Sequence, residues 1–251
     1  MKLTILGSGY FIPMKQRNNS GYFLQIAAEN LLLDTGSGIL RQLIKTGYSV
    51  WDVSKIFYSH LHIDHLADLL PILFVRKYSQ PEQKNVELSI YAHQDLHKII
   101  TGYEELFGKW ILNENHPYRF QSLRPGQFTF EHFILKVYQA VHTEQSLMYR
   151  FEDAKGKSLL YTGDTELSDV LFEAAAGVDL LLTEFSGVDE DPKPGHLSPA
   201  KISLLLERCR PKRTILSHFT PETEQTAVIG QIAIPPDCIV ETAEDFKTWQ
   251  C

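Results

Sequence analysis

Between Tyr58 and His65 the chain reads Tyr58-Ser59-His60-Leu61-His62-Ile63-Asp64-His65, with three histidines and an aspartate inside six residues. The apolar run Lys55-Ile56-Phe57-Tyr58 comes directly before the first histidine. That order predicts a strand ending in a tight loop, with the polar groups at its open edge. Neutral imidazole and carboxylate are the usual protein ligands for zinc and its neighbours. Four of them crowd together cheaply only when something positive ties them, so H-x-H-x-D-H after a strand points to a metal site.

Three further residues stand at the same kind of place, just past an apolar run. His142 follows the run 135–141, Asp164 sits in Tyr161-Thr162-Gly163-Asp164-Thr165, and His218 follows Ile215-Leu216-Ser217. Strand ends in a shared sheet converge along one edge, so groups far apart in sequence can meet there. His60, His62, Asp64, His65, His142, Asp164 and His218 are too many for one tetrahedral ion and suit two that share a bridging carboxylate. Two ions roughly 3.5–4 Å apart can hold a bridging hydroxide and grip both oxygens of a displacement, which is hydrolytic chemistry.

The elements that must carry these groups are legible as runs and periodicities. Strands are expected at 2–6, 22–26, 30–33, 55–58, 88–92, 133–140, 147–151, 158–161, 180–183 and 213–216. Leu66, Leu69, Leu70, Leu73 and Phe74 recur at helical spacing and predict one helix from about Asp64 to Tyr78. Further helices are expected after Gly38 as far as Gly47, and over 95–107, 166–176, 199–209 and 223–232. The stretch 107–127 is less regular. Its Trp110, Tyr118 and Phe120 are expected in the core, and part of the stretch, with His116 and Arg119, is free to line a substrate pocket. A strand-rich start followed by β-α alternation predicts a layered α/β protein with two sheets between helices. No linker, repeat or low-complexity segment divides residues 1–251, so one domain is expected.

Composition narrows the function. A hydrophobic fraction of 43% and a charged fraction of 22% are ordinary for a globular protein of 251 residues. No run approaches the ~20 apolar residues that cross a bilayer. The start, Met1 to Gly9, turns into a strand and a glycine turn too soon for a secretory signal, so a cytoplasmic protein is expected. Cys209, Cys238 and Cys251 share no C-x-x-C spacing and are expected as free thiols. A formal net charge of -7 disfavours a nonspecific grip on a polyanion, though bound divalent cations would reverse the sign locally.

The chain resembles the metallo-β-lactamase fold and, within it, the ribonuclease Z branch of phosphodiesterases. The resemblance runs over most of the chain and in order. It takes in Gly7-Ser8-Gly9, the Pro13-x-Lys15-x-Arg17-Asn18 loop, Leu33-Asp34-Thr35-Gly36, the His60–His65 motif and His142. It continues through Gly163-Asp164-Thr165, Leu182-Thr183-Glu184, Gly195-His196-Leu197-Ser198 and Leu216-Ser217-His218. It implies an αββα sandwich. It also implies that His60, His62 and His142 hold one metal, that Asp64, His65 and His218 hold the other, and that Asp164 bridges. Asp64 is in addition a candidate base, and an aspartate there, in place of a thiolate ligand, speaks against antibiotic hydrolysis. His196 matches a histidine that gives a proton to the leaving oxygen, and Glu184 an acidic residue that orients it. Asp34 matches a residue that props the metal loop. Lys15 and Arg17 are candidates to bind phosphate. Zinc is the expected metal, with manganese, iron or nickel suited to the same ligands. A homodimer is implied by the resemblance alone.

One feature of that branch is missing. Its transfer-RNA-processing members carry a long arm between the positions matching His142 and Asp164, and here 21 residues, 143–163, separate them. The expected substrates are therefore small phosphodiesters, cyclic nucleotides or RNA ends, with no stable duplex nucleic-acid partner. A carboxylic ester, thioester or lactone hydrolase on the same centre is the rival enzyme reading. A metal-bound sensor without turnover is the third.

Overall fold

The computed structural model describes residues 1–79, 87–108 and 118–251. The first half runs β1 (Lys2–Gly7), β2 (Gly21–Ile26), β3 (Glu29–Thr35), α1 (Ile39–Lys45), β4 (Lys55–Phe57), α2 (Ile63–Leu66), α3 (Leu69–Tyr78), β5 (Leu88–Ala92), α4 (Leu96–Phe107) and β6 (Tyr118–Ser122). The second half runs β7 (Gly126–Thr129), β8 (Phe133–Gln139), β9 (Leu147–Asp153), β10 (Ser158–Tyr161), α5 (Asp169–Ala175), β11 (Leu180–Glu184), α6 (Pro199–Cys209), β12 (Arg213–Ser217), α7 (Thr226–Ile229), β13 (Ile239–Thr242) and β14 (Thr248–Gln250). Among the described residues these strands form two seven-stranded sheets, ordered β14-β1-β2-β3-β4-β5-β6 and β13-β12-β11-β10-β9-β8-β7.

Alternation along the strands explains why the sheets are covered on both sides. In β2, Tyr22 and Leu24 enter the core between the sheets, while Phe23 faces the other way into an outer core. In β9, Leu147, Tyr149 and Phe151 face inward and Met148 outward. Successive side chains point to opposite faces, so strands apolar at every position need packing on both. The outer core of the first sheet takes Leu43 of α1, Leu69 and Leu73 of α3, and Leu96 and Ile100 of α4. That of the second takes Leu171 of α5 and Ile202, Leu205 and Leu206 of α6. Helices, sheet, sheet, helices is the αββα sandwich expected.

The differences from the sequence reading are local. The single helix expected over 64–78 is two, α2 and α3, because Asp68 N–H bonds Thr35 O at 2.9 Å instead of continuing the helical ladder. The Asp68 carboxylate meanwhile accepts from the N–H groups of Gly38 and Leu40, at 3.0 and 2.7 Å, and anchors the start of α1. The helix expected over 166–176 begins only at Asp169, where Ser168 Oγ caps Leu171 N–H at 3.1 Å. That expected over 223–232 is the one turn of α7, with none of its residues buried. The irregular stretch contains β6, whose Tyr118 and Phe120 pack on the outer core as expected, while Arg119 pairs with Glu87. Trp110 and His116 lie outside the described residues.

Candidate metal centre

β4, β8, β10 and β12 all finish on one edge of the sandwich, and the residues that follow them meet there. A buried carboxylate organises the loop after β4. Asp34, in the left-handed region at φ 55°, accepts Ser59 N–H at 2.7 Å on Oδ1. Its Oδ2 takes Ser59 O–H at 2.6 Å, His65 Nδ1–H at 2.7 Å and the hydroxyl of Tyr161. These bonds fix tautomers. A carboxylate only accepts, so His65 carries its proton on Nδ1 and turns a bare Nε2 to the centre. Ser59 Oγ has given its hydrogen to Asp34, so at 3.0 Å it accepts from His60 Nδ1 and leaves His60 Nε2 bare. His142 Nδ1 donates to the carbonyl of Gly195 at 3.1 Å, with the same result.

The bare nitrogens converge in two clusters. His60 Nε2 and His142 Nε2 lie 3.0 and 3.1 Å from His62 Nδ1. His65 Nε2 lies 3.2 Å from His218 Nε2, and Asp64 Oδ2 is 3.4 Å from the latter. Asp164 stands between the clusters. Its Oδ2 faces His60 and His142 at 3.7 and 3.8 Å, and its Oδ1 faces His65 and His218 at 3.4 Å each. Asp164 Oδ1 and His218 Nδ1 are buried, with no hydrogen-bond partner among the described residues. Burial would raise the Asp164 pKa, but the imidazoles of His218, His65 and His60 outweigh it and hold the carboxyl well below its ordinary range. Burial pushes His60 and His142 down, and so favours the neutral form that binds metal. The bare nitrogens of His60, His65 and His142, clustered with His62, His218 and the carboxylates of Asp64 and Asp164, are a donor set that suits a divalent cation.

Beside the clusters, His196 is held through Nδ1 by Glu184 Oε1 at 3.0 Å and Ser186 Oγ at 2.9 Å. Burial opposes the imidazolium of His196, but the hydrogen bond and charge of Glu184 outweigh it and raise the pKa. Ligand atoms of Asp164, His196 and His218 lie within 4.8 Å of one another. Glu184 is itself fixed, by the N–H groups of Thr165 and Leu197 at 3.2 Å each and of Ser186 at 3.1 Å. A second brace, not singled out in the sequence, lies behind it. Glu166 accepts Gly195 N–H at 2.9 Å and the Lys201 ammonium at 2.7 Å, and Lys201 also reaches His196 O at 2.9 Å. The turn 195–196 thus positions His142 and His196 together. Gly195 is required there, since a Cβ would sit 2.7 Å from His142 Nδ1 and φ is +80°.

The candidate phosphate binders are divided. Arg17 is committed to Glu224 at 2.8 Å, Ser8 Oγ at 2.8 Å, the Ala243 carbonyl and the Phe219 ring. It ties the first glycine turn to the segment after His218 rather than offering a free phosphate fork. Lys15 is exposed and lines, with Arg17, Lys45 and Asp245, a cavity that no candidate metal ligand lines. Tyr161, Glu166 and Lys201 carried no signal in the sequence, because each acts on a residue that the chain brings near only by folding, and so does Ser59 where it bonds Asp34.

Residues 29–219 match the family model described as the beta-lactamase superfamily domain. The ribonuclease Z of Methanothermobacter thermautotrophicus is 25% identical over 297 residues, covering 99% of this chain and 96% of that protein. The structure of the metallo-beta-lactamase fold protein YhfI from Bacillus subtilis superposes with a TM-score of 0.80 at 21% identity, over 99% of this chain and 98% of the other. That of human tRNase Z, short form, gives 0.78 at 24% identity, over 100% and 99%. No helix among the described residues is long and apolar enough to cross a membrane. The chain belongs to the beta-lactamase superfamily, has its metallo-β-lactamase fold, and is a metal-dependent hydrolase with ribonuclease Z among its relatives.

Proposed function

We propose that this hydrolase is a two-metal phosphodiesterase, zinc-loaded, acting on small phosphodiesters, cyclic nucleotides or RNA ends. The observation that carries the reading is the buried His196–Glu184 pair, 3.0 Å apart, beside a carboxylate that faces both ligand clusters. On this reading His60, His62 and His142 hold one ion, Asp64, His65 and His218 the other, and Asp164 serves both. Divalent ions so held would supply an activated water and the positive charge that displacement at phosphorus needs.

The chain's own groups supply the rest. An alkoxide is a poor leaving group, so its departure calls for a proton at the leaving oxygen. His196 offers one from Nε2, because Nδ1 is already bound to Glu184 and Ser186. Glu184 keeps the ring charged and aimed, while Asp64 is placed to take a proton from the attacking water. The turn braced by Glu166 and Lys201 keeps the proton donor in register with His142. The test compares bis(p-nitrophenyl) phosphate with p-nitrophenyl acetate on metal-replete wild type and His196→Ala. Diester turnover falling about 10²–10⁴-fold in the variant is expected. Ester turnover alone, indifferent to His196, would move the assignment to a carboxylic-ester hydrolase.

A further inference from the structure

Four apolar side chains stand exposed around the centre. Phe11 is 55% exposed, Ile12 41%, Ile63 65% and Val141 46%. Ile63 lies between His62 and Asp64, and Val141 directly precedes His142. Tyr10 links this rim to the chemistry, with its ring edge-on to His218 at 4.9 Å and 78°, and to His196 at 6.2 Å and 79°. Its backbone is pinned, since N–H bonds Phe219 O at 3.1 Å and the carbonyl accepts from Asn19 Nδ2. Phe11 lies on Tyr10 with centroids 4.2 Å apart and planes at 44°, and has no other ring partner among the described residues. An exposed phenyl on a pinned aromatic neighbour, whose own ring meets those of His196 and His218, is a preformed apolar surface beside the clusters.

We propose that Phe11, backed by Tyr10, is a stacking platform for the nucleobase of a nucleoside phosphodiester. This deepens the phosphodiesterase reading and rests on it. The chain carries a net charge of -7, so a polyanionic substrate gains little from the general field of the protein. Affinity beyond the phosphate has to come from local contacts, and base–aromatic stacking supplies it without regard to base identity. An aliphatic phosphodiester has no flat face to place there.

The platform is read by calorimetry on metal-replete protein, with adenosine 5′-monophosphate and ribose 5-phosphate as probes. Wild type should bind the nucleotide about 5- to 150-fold more tightly than the sugar phosphate. Phe11→Ala should bring the two Kd values together, and Phe11→Tyr should keep them apart. Equal Kd values in wild type, no binding of either probe, or a preference that survives Phe11→Ala would each overturn the platform. Turnover of bis(p-nitrophenyl) phosphate in the same preparations tests the phosphodiesterase reading separately. Diester turnover without a base preference sinks only the platform, and a base preference without diester turnover sinks only the chemistry.

Discussion

Asp34→Asn replaces one carboxylate oxygen by an amide nitrogen and leaves the side chain's shape unchanged. In the wild type Oδ1 takes one N–H, while Oδ2 takes two hydroxyls and His65 Nδ1–H. With the amide oxygen kept on Ser59 N–H, the new NH2 faces three donors. The hydroxyls of Ser59 and Tyr161 can rotate to accept. His65 can accept only by moving its proton to Nε2, the nitrogen 3.2 Å from His218 and 3.6 Å from Asp64. A protonated Nε2 cannot ligate. Two NH2 hydrogens cannot serve three former donors, so at least one bond is lost and the others lose their charge assistance, which predicts a loss of about 3 kcal/mol in stability. The tautomer shift predicts zinc affinity about 10–100-fold weaker at the cluster of His65. Urea unfolding in the presence of a chelator reads the first, and zinc titration against a chromophoric competitor reads the second. A folded Asp34→Asn variant with wild-type zinc affinity would refute the tautomer argument, whatever its stability.

Lys201→Met removes the ammonium shared by Glu166 and the His196 carbonyl, and touches no candidate ligand. Diester kcat should fall roughly tenfold with zinc content unchanged, and Lys201→Arg should restore most of it; steady-state kinetics with metal analysis would show otherwise if the brace were idle. Asp179 accepts Lys212 at 2.7 Å, Lys157 at 3.2 Å and Ser158 N–H at 2.9 Å, which overcome the opposing effect of burial and hold its carboxyl well below the ordinary carboxylate range. A carboxyl with a depressed folded pKa stabilises above the unfolded pKa of about 4, and that contribution is lost as pH falls toward the folded value. Asp179→Asn should therefore be about 1–2 kcal/mol less stable than wild type at pH 7, with the gap narrowing at pH 3. Chemical unfolding of the metal-free proteins at the two values checks it, and a gap that stays constant counts against it.

Strands whose side chains are apolar at every position announced themselves in the sequence, and so did a His/Asp motif directly after one of them. The layered fold and the convergence of ligand groups followed from those two facts. The break between α2 and α3 was not legible, because Leu66, Leu69, Leu70 and Leu73 keep helical spacing straight across it. What interrupts the helix is Thr35, more than thirty positions away, drawing off the Asp68 N–H. Arg17 was open to a phosphate role for a similar reason. Nothing near it in sequence reveals Glu224 and Ala243, which occupy its guanidinium once the chain has folded. Glu166 and Lys201 were silent because a brace is defined by its partner.

The origin of the candidate ligands has a mechanical consequence. His60, His62, Asp64 and His65 hang from the first sheet, whereas His142, Asp164 and His218 hang from the second. Each cluster therefore draws on both layers. The layers otherwise meet through the apolar core between them, which resists separation better than it resists sliding, and through a few cross-sheet hydrogen bonds such as Tyr161 to Asp34 and Tyr149 to the Tyr58 carbonyl. Ions gripped from both sides would add directional bonds across that seam, as rivets do between two plates. Loading would then raise the protection of amides in both sheets in parallel, and stripping the centre would let one layer shear against the other before either unravels.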